Sequence, residues 1–290
     1  MNDFVIMTDS SGDLPQNLID ELSLEVLPLS VSVDGKQYYN YPDGREISFE
    51  DFYKQVRDGA DAKTSAVNVD QFIEVMEKIL KEGKDVLYLG FSSGLSGTYS
   101  ASTVAAEDLR EKYPDRKIYT VDTLAASMGQ GLLVYLAAKE KEKGKSIDEV
   151  RDFAENNKLN LVHWFTVNDL FHLKRGGRVS ATTAVVGTML NIKPVLHVDN
   201  EGKLINVAKA KGRKASIRAL LEKMKETATN PQEQTIFISH GDCYEEAKEL
   251  ADMIKEEIGV KEVVINFIGP VIGAHAGPGT IALFFVGKER

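Results

Sequence analysis

The chain has 290 residues, 43% of them hydrophobic, which is enough for one large or two ordinary domains with apolar surface left over to line a cavity. Lys and Arg number 35 against 44 Asp and Glu, and the net charge of −9 argues against sequence-independent nucleic-acid binding, which needs a basic field. The one cysteine, Cys243, excludes an intramolecular disulfide and fits a reducing compartment.

The opening Met1-Asn2-Asp3-Phe4-Val5-Ile6-Met7 lacks a basic segment followed by an apolar stretch, so no signal peptide is expected. A strand over 4–7 runs into a helix over 14–22, with Asp13 as its cap and Pro15 in its first turn. A second strand region covers 25–33, and the Tyr-rich 35–47 reads as a hairpin or surface loop. Ser48 caps a helix over 49–58, and an amphipathic helix follows over 70–82. Strands over 85–90 and 117–121 alternate with helices over 98–113 and 127–143, a rhythm that implies a parallel sheet covered on both faces.

Past about residue 160 the pattern changes. Strands are expected over 161–167, 195–198, 204–209, 235–240, 262–267 and 281–286, with helices over 169–174, 214–228 and 244–258. Asp199-Asn200-Glu201-Gly202 between two of the strands is a hairpin turn. The expected fold is therefore an N-terminal parallel-sheet α/β domain over 1–158 and a C-terminal α+β domain with a mixed or antiparallel sheet over 159–290. The boundary falls within 146–160. The longest apolar run, Ile281-Ala282-Leu283-Phe284-Phe285-Val286, is far too short to span a bilayer, so the expectation is a soluble, cytoplasmic protein without a transmembrane segment.

Four clusters can carry chemistry. Thr8-Asp9-Ser10-Ser11-Gly12 ends the first strand, where open parallel sheets collect ligands; turn formation and helix capping explain the same residues. Gly90-Phe91-Ser92-Ser93-Gly94-Leu95-Ser96-Gly97-Thr98 links a strand to a helix and presents hydroxyls and bare N–H groups suited to a carboxylate or phosphate. Capping by Ser96 is the plainer reading. The loop also matches the nucleophile elbow G-x-S-x-G, so a serine hydrolase using Ser92, with Asp122 or Asp169 and His275, is the rival function. A nucleotide site is disfavoured because no lysine follows the glycines. Lys174-Arg175-Gly176-Gly177-Arg178 brackets a tight turn with two guanidinium groups, which pair with carboxylates or with acidic neighbours. Gly269-Pro270-Val271-Ile272-Gly273-Ala274-His275-Ala276-Gly277-Pro278-Gly279 surrounds His275 with small residues that leave its ring free. The five histidines have no metal-ligand spacing, so no metal is expected. Trp164 is expected in the core, and Asp242 as the cap of the 244–258 helix.

These strings in this order, with Lys63-Thr64-Ser65, the stretch LFHLKRGGRVS from Leu170 to Ser180 and Leu190-Asn191-Ile192-Lys193-Pro194-Val195-Leu196, resemble the DegV family over essentially the whole chain. The resemblance implies two α/β domains with one long-chain fatty acid, such as palmitate, stearate or oleate, buried between them, and no other cofactor. It implies a lipid carrier, not an enzyme: a fatty-acid-binding subunit that offers the carboxylate to the ATP-binding subunit of a bacterial fatty acid kinase, forming an acyl phosphate for phospholipid synthesis. Thr64, Ser65, Ser96 and His275 correspond to the residues that hold the carboxylate. Ser93, Gly97, Arg175, Arg178 and Gly273 are candidates for supporting the head group or its loops, and Arg213 for contacting the kinase. Transient contact with a membrane surface would serve lipid exchange. Family members often carry proline two residues after the Thr-Ser pair, where this chain has Ala66-Val67-Asn68.

Overall fold

The structure is a computed structural model that describes residues 3–168, 170–179 and 191–290; the predicted roles of Asp169, Ser180 and Leu190 fall outside them. Apolar residues on both faces make β1 (Phe4–Asp9) a buried central strand. It pairs in parallel with β2 (Glu25–Leu27) on one side and β6 (Asp85–Gly90) on the other, and β7 (Ile118–Asp122) completes the order β2-β1-β6-β7. The chain leaves β1 first to one side and later to the other. The carboxyl ends of β1 and β6 therefore form a topological switch point, where a crevice opens.

The predicted strand region 25–33 is two strands. Pro28 donates no ladder hydrogen bond, and beyond it β3 (Ser30–Val33) joins β4 (Lys36–Tyr39) and β5 (Ala62–Ser65) in a separate antiparallel sheet. The helices of this half are α1 (Gln16–Glu21), α2 (Phe49–Arg57), α3 (Val69–Lys81), α4 (Thr98–Lys112), α5 (Met128–Glu142) and α6 (Ile147–Asn157). Ser48 accepts the Asp51 N–H at 3.1 Å and so caps α2. Asn68 and Gln71 form a reciprocal capping box on α3, so the turn after Thr64-Ser65 is held by side-chain hydrogen bonds and not by a proline. The expected boundary segment is itself helical, with Ser146 and Glu149 capping α6.

After α7 (Phe171–Arg175), the second half adds α8 (Arg213–Thr227), α9 (Tyr244–Glu257) and α10 (Pro270–Ala276). Its sheet contains β8 (Leu161–Thr166), β9 (Ile192–Val198), β10 (Leu204–Lys211), β11 (Thr235–His240), β12 (Glu262–Phe267) and β13 (Ile281–Val286) in the order β10-β9-β8-β13-β11-β12, antiparallel except for β11 with β12. Side chains alternate across it. Val162, Trp164, Ile281, Leu283 and Phe285 pack toward the core shared with α8 and α9, while Phe165, Ala282 and Phe284 face the other core with α5. The Gly-rich 270–276, to which no element is assigned from sequence, is helix α10, because Pro270 presets its first turn. One local expectation is corrected. Asp242 does not cap α9: its carboxylate pairs with Arg57, and Cys243 stands at the cap position.

The helix α5 lies between the two large sheets, touching β1 and β6 on one side and β8, β11 and β13 on the other. Gly129 makes this possible, since a Cβ there would overlap the His163 ring; Gly131 likewise meets the Gly12 carbonyl. Buried side chains tie this junction together. Asp9 accepts hydrogen bonds from the Ser11 N–H and hydroxyl, the Tyr88 hydroxyl at 2.6 Å, the Phe91 N–H at 3.1 Å and Gln130 Nε2 of α5 at 3.1 Å. The Thr8-Asp9-Ser10-Ser11 cluster is thus fully engaged in joining β1 to the β6 loop and to α5. Asp9→Ala removes the acceptor from all five donors and is expected to cost on the order of 3 kcal/mol in urea unfolding. A loss below about 0.5 kcal/mol would contradict this role, since that is the range of surface substitutions.

Candidate functional site

Four distant segments converge on a cavity of about 180 Å³ between the sheets, at the N-terminal end of α5. Its walls are largely apolar and come from both halves, including Leu29, Phe91, Phe165, Val198, Val271 and Phe284. Its polar lining comprises Thr64, Ser65, Ser96, Ser127, His163, Arg178, His275 and Thr280, and none of the described lining residues is acidic. An anion placed there meets donors and no like charge.

The packing of α10 on β5 brings His275 Nε2 to within 2.8 Å of Thr64 Oγ1. The packing of α7 on α10 brings Gly176 against the other face of the ring, so closely that a Cβ would overlap Nδ1, which has no hydrogen-bond partner. Burial, with Arg178 and Arg175 nearby, pushes His275 down to about 4, so the ring is neutral near pH 7. Arg178 is half-buried. It donates to the Leu95 carbonyl through Nε at 3.3 Å and Nη2 at 3.1 Å, and through Nη1 to the Gly176 carbonyl. It therefore fastens the Gly-Gly turn to the serine loop. Ser96 Oγ accepts the Thr98 N–H at 3.2 Å and shares a 2.9 Å hydrogen bond with the Thr98 hydroxyl while lining the cavity; Gly97, not Ser96, stands at the cap position of α4. Ser65 and Gly97 line the cavity and are exposed, which marks this end as its mouth.

Four other candidates lie elsewhere. Ser93 is exposed, with its N–H on Asp122 at 3.2 Å. Arg175 is exposed and stacks over Phe171. Gly273 backs onto Tyr53 and Phe52, away from the cavity. Arg213 is bound to Glu246 at 2.8 and 3.0 Å, and only 17% of its side chain is exposed. The hydrolase alternative fails on geometry. Ser92 is fully buried, and its hydroxyl donates to the Gly202 carbonyl at 2.8 Å. Asp122 serves the Ser93 and Leu124 N–H groups, and His275 is committed to Thr64. Burial pushes the Cys243 thiol up to about 12, which leaves it protonated and inert. Among the described residues no His, Cys, Asp and Glu cluster could hold a metal, and no helix is long and apolar enough to cross a membrane.

Sequence reasoning missed Ser127 and His163. Ser127 adopts φ +52° and donates to Asp13 Oδ2 at 2.6 Å, with Ser239 Oγ at 2.9 Å. It sits at the start of a helix whose periodicity gives no buried stripe to read. His163 could have been found from the alternation of β8, which sends it to the same side as Phe165.

The family model described as the uncharacterised DegV family matches residues 3–288. A DegV domain-containing protein of Clostridium perfringens is 50% identical over 290 residues, covering 100% of this chain and 99% of its own. A solved structure of a DegV family protein from Thermus thermophilus, described for its fatty acid binding, superposes with a TM-score of 0.89 at 32% identity, covering 99% of this chain and 100% of that one. A DegV lipid-binding protein from Thermotoga maritima gives a TM-score of 0.86 at 30% identity, with 99% of each chain covered.

Two predictions follow the geometry of His275. Gly176→Ala drives a methyl group into the ring and should cost about 1–3 kcal/mol in chemical unfolding. Gly97→Ala, whose Cβ meets nothing within 4 Å, should stay within about 0.5 kcal/mol. Because the folded-state pKa of His275, about 4, lies below its ordinary 6.5, its contribution to stability is present above pH 6.5 and is lost as pH falls from 6.5 to 4. Asp13, raised by burial to about 7 from 3.8, acts oppositely, being most favourable below pH 3.8 and losing its contribution as pH rises through 7. Comparing wild type with His275→Gln isolates the histidine share. Ligand-free wild type should lose more stability than the variant between pH 7 and pH 4.5, and equal losses would contradict the assignment.

Proposed function

The chain belongs to the DegV family, and from that premise we propose that it buries one long-chain fatty acid in the inter-sheet cavity and presents the carboxylate to the ATP-binding subunit of a fatty acid kinase. The observation that carries this reading is the apolar cavity whose exposed end gathers Thr64, Ser65, Ser96, Arg178 and His275 and whose described lining has no acid. An acyl tail of about sixteen carbons gains roughly 0.8 kcal/mol per buried CH₂, of order 10 kcal/mol before the costs of ordering and association. The tail supplies the affinity. The head group needs donors, because a carboxylate withdrawn from water without them is costly.

The neutral His275 ring gives the donors an order. With its proton on Nε2 it donates to Thr64 Oγ1, which frees the threonine proton for the carboxylate. Ser65 and Ser96 add hydroxyls, and Arg178 adds a half-buried positive charge behind them. Neutral hydroxyls hold the anion without a tight ion pair, so one carboxylate oxygen stays nucleophilic. In the partner's site that oxygen would form a bond to the γ-phosphorus of ATP as the bond to the departing ADP oxygen breaks, giving acyl phosphate. On this reading the chain is a carrier and the partner holds the nucleotide. We place the protein in the cytoplasm, with transient contact at a membrane surface for lipid exchange, and the division of its domains at residue 158, before β8 opens the second large sheet.

Organic extraction of the purified protein followed by mass spectrometry should release one long-chain fatty acid per chain, and a lipid-free extract of protein that also fails to take up added acid would refute the proposal. Ser96→Ala and His275→Ala should reduce acyl phosphate yield in a kinase-coupled assay at least tenfold while weakening fatty acid affinity by less. Wild-type turnover by both variants would remove these residues from the presentation step.

A further inference from the structure

Ser92, the serine of the nucleophile-elbow match, is fully buried, yet every polar group it carries is engaged. Its N–H donates to the Ala125 carbonyl at 3.0 Å and its hydroxyl to the Gly202 carbonyl at 2.8 Å. Its own carbonyl accepts the N–H groups of Leu95 at 3.0 Å and Ser96 at 3.1 Å. Ser92 therefore links two remote segments, the 123–127 loop ahead of α5 and the β9–β10 turn, to the backbone of Ser96. Arg290 joins those same two segments. Its Nη1 donates to the Leu124 carbonyl at 2.5 Å and to the Asp199 carbonyl at 3.1 Å. Its Nε reaches the Leu161 carbonyl at 3.0 Å and its Nη2 the Lys158 carbonyl at 2.7 Å, both at the entry to β8. The Asp199 carbonyl also accepts the Gly202 N–H at 2.9 Å, so the turn held by Arg290 is the one that receives the Ser92 hydroxyl. Burial lowers the guanidinium to about 10, which leaves it charged near neutral pH, and hydrogen bonds from an ionised donor are the stronger kind.

We infer that Ser92 and Arg290 are positioning residues for the head group: Arg290 clasps the 123–127 loop to the β9–β10 turn, and Ser92, held by both, fixes the backbone that aims Ser96 at the carboxylate. Neither residue lines the cavity, so both act through Ser96. The fit leaves little slack. A Cβ on Gly94 would come within 2.7 Å of the Glu201 carbonyl oxygen, so the turn rests directly on the serine loop. On another side Arg178 holds the Leu95 carbonyl. The Ser96 hydroxyl is oriented by Thr98, but the place from which it points is set by its N–H on Ser92. Lysine at position 290 would keep the charge, yet a single ammonium on a flexible stem cannot span carbonyls from three segments as the planar fork does. Ser96 would then be displaced with no group removed from the cavity.

This inference rests on the fatty-acid reading, and the test separates the two. Delipidated full-length protein is loaded with palmitic acid labelled with carbon-13 at its carboxyl, and the bound carboxyl resonance is recorded by NMR beside a binding titration. The wild type is compared with Arg290→Lys, Ser92→Ala, Ser96→Ala and the double variant Arg290→Lys/Ser96→Ala. Arg290→Lys and Ser92→Ala should each move the resonance in the direction in which Ser96→Ala moves it, and each should weaken palmitate binding about fivefold, the scale of one net hydrogen bond. In the Ser96→Ala background, Arg290→Lys should change neither quantity further, because the group it positions is gone. Palmitate bound by both single variants with an unmoved resonance, even at reduced urea stability, overturns the positioning role and leaves fatty acid binding intact. An equal effect of Arg290→Lys with and without the Ser96 hydroxyl overturns it as well. No palmitate bound by the wild type overturns the underlying reading, and this inference with it. If Arg290→Lys does not fold, Ser92→Ala alone and combined with Ser96→Ala decides by the same comparison.

Discussion

A helix shared by two sheets has little surface left for water, and the first turns of α5, buried from Met128 to Val134, are in that position. Its first turns carry Gly129 against His163 and Phe284 on one side and Gly131 against Gly12 on the other. With no side chains at those points, the sheets approach closely along the helix. Beyond its N-terminus nothing fills the gap between them, and the cavity is that gap. Asp13 secures the arrangement by accepting from Ser127 on one side and from the Gly269 N–H on the other, which links the first half to α10 of the second. The position of His275, and so of the whole polar mouth, depends on this stitching.

The mouth separates two tasks that conflict in one material. Hiding a hydrocarbon requires a dry apolar wall, while holding an anion requires donors. The fold supplies the head-group donors from the end of β5, two loops and α10, so the walls built by the two large sheets remain largely apolar. It also keeps the cationic groups slightly apart. Arg178 spends its hydrogen bonds on the Leu95 and Gly176 carbonyls, positioning the loops while leaving its charge nearby. An overall charge of −9 therefore coexists with a locally favourable site for a negative group, because interactions between exposed charges are screened over about 10 Å.

Much of this was legible because it is written in local chemistry. The strands of both sheets follow from their apolar runs, the cap Ser48 from its hydroxyl, and the meeting of Thr64 with His275 from a family resemblance that covers the chain. What escaped depends on tertiary context. The break at Pro28 sends β3 to another sheet, and the Gly-rich 270–276 becomes helical under Pro270. Residues 128–142 lack a readable stripe because both faces are buried. Ser92 matched a catalytic motif, yet the β9–β10 turn lies over it and the Gly202 carbonyl accepts its hydroxyl hydrogen bond, a contact between residues 110 positions apart. Arg213, named for a partner contact by resemblance, is paired with Glu246, one helix away. For Ser92 and Arg213 the deciding partner is remote in sequence.

The most direct test of the central claim is a crystal structure of the protein with a long-chain fatty acid bound. Continuous density should run from a carboxylate within hydrogen-bond reach of Thr64, Ser96 or His275, past Phe165, to the level of His163 and Phe284. A lipid seated anywhere else, or its carboxylate lying at the closed end of the cavity with the methyl end at the mouth, would contradict the account.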